Sequence, residues 1–415
     1  MQKRIAKRSR MLLVALGALS AFGPLSMDLY LPVLPSLAQD LETTDALAQL
    51  TMSACLIGLA LGQLIYGPVS DRIGRRVPLL IGVAGFMVMS LVCAVAPTIE
   101  LLIVARFLQG LGGAAGIVVS RAIVRDIYGG RDAARVFSIL MAITGIAPVL
   151  APLAGGALSF VMDWRGIFVV LAGIGLAILI LAWLVVPDSL QEEHRHRGGL
   201  AAQSREMGSL LGHRSFMAYV VAIGLAGAGL FTYISMSSLV FQEQYGLSPQ
   251  AFSLVFAINS VGIVIGTQVN RSLVRRFTLS AIALAALGLA VIAALSLTVA
   301  AWLGLAIIAL LVPLFVATMA QGAIGPDITA IALEPYARGA GAAAAILGTV
   351  QFLIGAIIPP LASIGGTSAI VMGVTMTACL LAALVVLGLQ VRSASNKARG
   401  ESVHPEVAAG DMGPA

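Results

Sequence analysis

Charge is scarce in this 415-residue chain: Asp, Glu, Lys and Arg make up 11% of it, against about 25% in an ordinary soluble domain. With 59% hydrophobic residues, too few charges remain to solvate the surface of a water-soluble protein this long. A soluble globular domain is excluded. Cysteine is nearly absent. Cys55, Cys93 and Cys379 stand far apart, each inside an apolar run, which leaves neither a disulfide framework nor metal-ligand spacing. Of the four histidines, His194 and His196 fall together, but in a charged stretch that reads as solvated linker. No metal, cofactor, nucleophile–base pair or phosphate loop is expected, and therefore no enzyme. The net charge of +6 would suit nucleic acid only if it were clustered on one face, and it is not.

What fills the chain is a recurring apolar stretch of about twenty residues, long enough to cross a hydrocarbon core of roughly 30 Å. Twelve are expected, near 11–32, 46–67, 77–96, 101–124, 137–159, 167–187, 215–241, 250–269, 279–299, 302–322, 340–362 and 367–390. The fold class is an all-α membrane protein. A basic start before an apolar run also occurs in signal peptides, but here eleven further spans follow. Every Lys and Arg except Arg106 and Arg165 falls in the N-terminal ten residues, in or beside the loops after even-numbered spans, or in the tail. The positive-inside rule then places both termini in the cytoplasm. Trp164 and Trp302 stand at outer span ends, as interfacial aromatics do. The expected organisation is a six-helix half (1–187), a cytoplasmic linker (188–214), a second six-helix half (215–391) and a polar, disordered tail (392–415).

The halves resemble each other. Gly67, Asp71, Arg72 and the pair Arg75–Arg76 follow the second span, and Gly266, Asn270, Arg271 and Arg275–Arg276 follow the eighth. Two six-helix units in parallel orientation are the plan of major facilitator transporters. The first segment, with Gly67, Asp71, Arg72, Gly74, Arg75 and Arg76, resembles motif A of that superfamily at every position of the pattern. The resemblance implies a conformational latch, with Asp126 as its partner. Arg106 and Gln109 resemble motif B. An arginine inside a bilayer costs at least about 2.5–3.5 kcal/mol and marks function or a structural role between helices. Asp28 is the one acid well inside a span and lies at a depth similar to Arg106, so the two are expected to share a polar cavity and to couple protons, unless Asp28 is a fixed ion-pair partner or a helix-end acid. Gly145, Pro148, Pro152, Gly155 and Gly156 resemble motif C, in which prolines and glycines bend the fifth span against the second half.

Together with Asp163-Trp164-Arg165-Gly166 and Glu334-Pro335, these motifs resemble the Bcr/CflA subfamily of drug:proton antiporters, bicyclomycin and amphenicol exporters among them. The resemblance implies a bacterial inner-membrane, multi-pass, monomeric exporter whose partners are a small drug molecule, protons and the lipid bilayer. Some multidrug relatives carry a second membrane acid where this chain has Ser20, which puts two-proton chemistry in doubt. The expected substrate cavity includes Phe22, Tyr30, Gln109, Tyr233, Met236, Asn259 and Gln351. An uptake symporter or facilitator for a nutrient shares the fold and motif A and remains the alternative. A membrane enzyme or sensor is the reading from another class.

Overall fold

The computed structural model describes residues 2–190, 208–336 and 340–403; His194, His196 and residues 404–415 lie outside them. Within those residues, eleven helices are long and apolar enough to span a membrane, and a bent pair supplies the twelfth. The first span is that pair: α1 (Gln2–Ser20) and α2 (Phe22–Asp28), with a 45° bend between Met11–Ser20 and Phe22–Asp40. Pro24 has no N–H to give the Ser20 carbonyl, which removes a helical hydrogen bond at the bend. A 3₁₀ turn at Leu31–Val33 and α3 (Leu34–Asp40), each with a proline in its first turn, carry this element eight residues beyond the expected end at 32.

The rest of the first half is α4 (Asp45–Ile73), α5 (Arg76–Ala94), α6 (Ile99–Ile127), α7 (Gly130–Leu158) and α8 (Trp164–Val185). The second half is α9 (Arg214–Leu239), α10 (Pro249–Leu273), α11 (Leu279–Trp302), α12 (Ile308–Leu333), α13 (Ala340–Ala362) and α14 (Ala369–Val403). Several starts are fixed by side-chain caps. Thr44, Thr98, Asp163, Ser248 and Thr278 each accept a backbone N–H three residues on, satisfying donors the first turn leaves free.

Two further boundaries and one side chain differ from the sequence expectation. The tenth span occupies 308–333 rather than 302–322, because Trp302 ends α11 and Gly304, at φ +63°, turns the chain. The last helix continues past 391 to Val403. Trp164 is fully buried instead of facing lipid, its indole N–H donating to Asp40 Oδ2 at 3.0 Å, whereas Trp302 is exposed.

Within each half the helices approach closely. A Cβ on Gly110 would overlap the Cys55 carbonyl of α4, and one on Gly266 would overlap the Met319 carbonyl of α12, so these seams, α4–α6 and α10–α12, depend on the missing side chain. The halves meet along α4–α13 and α7–α10.

Candidate functional site

The motif A loop is built around one arginine. Gly74 turns at φ +99°, and a Cβ there would strike the Asp188 carboxylate, so only glycine fits. That turn buries Arg75. Its Nε donates to Asp126 Oδ2 at 2.8 Å, Nη1 donates to Ser70 Oγ at 2.9 Å and also reaches Asp71, and its backbone N–H donates to Asp188 Oδ1 at 2.8 Å. Burial alone would lower the Arg75 pKa, but the hydrogen bonds and charges of Asp126 and Asp71 outweigh it and raise the value. Arg76 donates to the Trp183 carbonyl at 2.6 Å, and Ser189 adds a donor to Asp126 at 2.8 Å. Arg72 is exposed, and Gly67 has open space beside it. The loop thus ties α4, α5, α6 and the end of α8 together.

Arg106 lies deeper on α6 with no accessible surface. Its guanidinium stacks over the Tyr30 ring at 4.5 Å and the Phe168 ring at 5.6 Å, an arrangement that stabilises a desolvated cation. One nitrogen donates to Gln109 Oε1, whose amide donates to Ser90 Oγ at 2.7 Å; Nε and Nη2 have no partner among the described residues. Tyr30 shares a 3.2 Å hydrogen bond with Thr51, and Phe22 packs on Phe86 with centroids 4.5 Å apart. Tyr30, Gln109 and Arg106 therefore form one cluster inside the first half, and Phe22 packs further along α6, on Phe86 and against Gly116. They do not open together onto the interface between the halves.

Asp28 does not join that cluster. It is buried at 5% exposure and makes no hydrogen bond or ion pair with any described residue, so the expected pairing with Arg106 is absent. Depth along a helix follows from counting residues, but rotation about the axis does not. Asp28 instead lies near enough to Tyr233 of α9 for their charges to interact. Tyr233 stacks on Phe256 of α10, ring centroids 5.4 Å apart, and its hydroxyl faces Asn259 without closing a hydrogen bond. Met236 is buried on the same helix, and Gln351 of α13 is half-buried against Gly227. Ser20 bonds its own helix at Leu16 and meets Ser120 at 3.2 Å.

Pro148 and Gly156 of motif C sit where α7 meets α10. Pro152 has no N–H to offer the carbonyl four residues earlier, at Pro148. That free carbonyl lies 3.1 Å from the Ser260 hydroxyl of α10, which is shared with the Phe256 carbonyl of its own helix at 3.0 Å. A Cβ on Gly156 would strike Ser253 of α10, and one on Gly155 would overlap the Leu29 carbonyl, while Gly145 has nothing near it.

One functional element is not apparent from the motifs: a polar seal at the end opposite motif A. Gln49, with no accessible surface, accepts from Ser235 at 3.2 Å and Ser363 at 3.0 Å, and donates to Thr367 at 3.0 Å. All three partners belong to the second half. Gln242 donates to the Pro32 carbonyl, Ser238 to that of Leu31, and Gln250 to that of Gly156. These bonds hold the halves together from that end, and Thr349 donating to the Ala60 carbonyl at 3.5 Å, near mid-span, is the furthest in the direction of motif A. A glutamine inside an apolar run is the signal that could have found the seal, since a polar side chain in lipid seeks a partner on another helix.

Comparison with known proteins agrees with this architecture. Residues 14–360 match the model of the Major Facilitator Superfamily. The "Uncharacterized MFS-type transporter YdgK" of Bacillus subtilis is 40% identical over 90% of this chain and 94% of its own length. "Multidrug resistance protein MdtL" of Klebsiella pneumoniae is 31% identical (89% and 93% covered), and the "Bicyclomycin resistance protein homolog" of Haemophilus influenzae 28% (90% and 94%). Among solved structures, a nucleoside transporter, NupG, superposes with a TM-score of 0.74 at 12% identity (91% and 99% covered) and a D-xylose-proton symporter with 0.70 at 20% (91% and 96%), similarities that establish the fold alone. The chain belongs to the Major Facilitator Superfamily.

Proposed function

We propose that this transporter is a proton-coupled exporter of lipophilic, drug-like molecules, working by alternating access in the bacterial inner membrane with both termini in the cytoplasm. The observation that carries the reading is Asp28, a buried carboxyl inside the membrane with no cation paired to it among the described residues, within electrostatic reach of Tyr233 of the opposite half. An intramembrane acid held this way is a group whose charge can change during the cycle. The seal of Gln49, Gln242 and Gln250 closes the end opposite motif A in this conformation, while the motif A bonds of Arg75 are made within the first half; parting the seal is the step that exposes Asp28 to the outside. Relatives named for multidrug and bicyclomycin resistance and the motif C contact between α7 and α10 support export over uptake.

Coupling requires that proton and drug each bind the two conformations with different affinity. Protonation of Asp28 from outside and drug loading from inside supply that difference. The test is drug movement in inverted vesicles from a pump-deficient host. With an acid interior, vesicles containing the protein should accumulate a lipophilic monocation, and collapse of the pH gradient should release it. Accumulation only in right-side-out vesicles would reverse the direction and establish uptake.

A further inference from the structure

The second half repeats the motif A seam with different chemistry. Asn270 holds the place in the repeat that Asp71 holds in the first. It lies on α10 and donates its amide to Asp327 Oδ1 of α12 at 2.7 Å. Both side chains are more than nine-tenths buried, and the other two oxygens, Asn270 Oδ1 and Asp327 Oδ2, have no hydrogen-bond partner among the described residues. Two orphan acceptors on side chains already in contact form a costly arrangement in a dry site. Turning the Asn270 amide over would not help, because it would set one acceptor against another. One proton resolves the mismatch: on Asp327 Oδ2 it converts an acceptor into a donor, and the adjacent Asn270 carbonyl is the acceptor that lacks one.

We propose that Asp327 is a second proton-binding site, occupied in this conformation and closed by an acid–amide pair with Asn270. The surroundings offer no alternative. Asn270 lines a crevice of about 440 Å³ whose other walls, among them Leu273, Phe277, Ile282 and Ala323, are almost wholly apolar. Of the elements packed on α12, α11 and α13 carry no titratable side chain. On α10, Arg271 is exposed, as are Arg275 and Arg276 just beyond it; α9 contributes Arg214, Tyr219 and Tyr233; Glu334 and Tyr336 follow α12 itself. None of them forms an ion pair or hydrogen bond with Asp327. Arg338 lies outside the described residues. The first-half seam is held by a guanidinium that keeps its charge at any physiological pH; the second is held by a group that must be neutral. This site is independent of the role assigned to Asp28.

Infrared spectroscopy of the full-length protein in lipid nanodiscs, read through the C=O stretch of protonated carboxyls, tests the proposal. The D28N variant, which removes the other buried membrane acid, should still show that band at neutral pH. The D28N/D327N variant should lose it, and an asparagine at 327 brings its own donor, so the fold is retained. In D28N/N270L the band should shift to higher frequency as its hydrogen bond disappears. Absence of the band in D28N, or its persistence undiminished in D28N/D327N, overturns the proposal.

Discussion

The Ser260 hydroxyl stands 3.1 Å from the carbonyl of Pro148 across the two halves and 3.0 Å from that of Phe256 on its own helix, and the Pro148 carbonyl lacks a helical donor because residue 152 is proline. The pairing makes a testable couple. Ser260→Ala strands the carbonyl and should disfavour this conformation by about 1–3 kcal/mol, read as a shift in distances between spin labels on α7 and α10. Pro152→Ala restores an N–H to the Pro148 carbonyl, so Ser260→Ala should cost much less in that background. Additive effects in this double-mutant cycle would show that the hydroxyl is not there for the freed carbonyl.

The two glycines of α7 that touch neighbours should behave differently from Gly145, which touches none. Gly155→Ala drives a methyl into the Leu29 carbonyl, backbone against backbone, and should destabilise the protein by about 1–3 kcal/mol. Gly145→Ala meets nothing and should leave melting in detergent unchanged or slightly improved. Equal melting temperatures for the two variants would contradict the close approach of α7 to the end of α2.

Arg75, rather than Arg72 or Arg76, should be the arginine that motif A cannot lose. Lysine keeps the charge but not the planar fork that reaches Asp126, Ser70 and Asp71 together. Arg75→Lys is therefore expected to slow turnover several-fold while substrate affinity is kept, and Arg72→Lys, on an exposed side chain, to do neither. Asp71→Asn should resemble Arg75→Lys. Loss of affinity in step with turnover would place the loop at the substrate rather than at a latch.

Asp28→Asn mimics the protonated carboxyl permanently and should abolish accumulation of drug against its gradient. Exchange of a neutral substrate down its gradient should survive, because closing either end requires no change of charge at this residue. Concentrative transport by the Asn variant, measured in inverted vesicles under an imposed pH gradient, would make Asp28 structural.

Arg106→Lys should lower thermal stability even though the charge remains. An ammonium cannot stack on Tyr30 and Phe168 as a guanidinium does, a contribution of about 2 kcal/mol in a desolvated setting. A melting temperature equal to wild type would show that the aromatic faces do not hold the cation.

Much of this architecture is legible before any coordinates. Spans, halves and loops follow from the period of apolar runs and from the placement of arginine, since a bilayer allows few alternatives. Motif A is legible because its spacing is specific, yet spacing does not reveal that Arg75 turns inward while Arg72 stays out; the positive φ of Gly74 decides that. The cavity expectation was less successful for a related reason. Asp28 and Arg106 make no ion pair, Tyr30 and Gln109 turn into the first half beside the arginine, and Phe22 packs there on Phe86. Gln49 escaped notice because it stands near the start of its span, where a polar residue is unremarkable until its three partners across the interface are seen.

The seal opposite motif A contains glutamines, hydroxyls and backbone carbonyls, and none of its described hydrogen bonds involves an ionised group. Charged gates strengthen or weaken with the salt and acidity of the fluid that wets them. Neutral hydrogen bonds do not, so salt and acidity act on this end through Asp45 and Glu243, two carboxyls beside the seal whose charges interact across the halves. The hydrogen bonds supply the closure, and the acid pair makes parting it answer to the fluid outside.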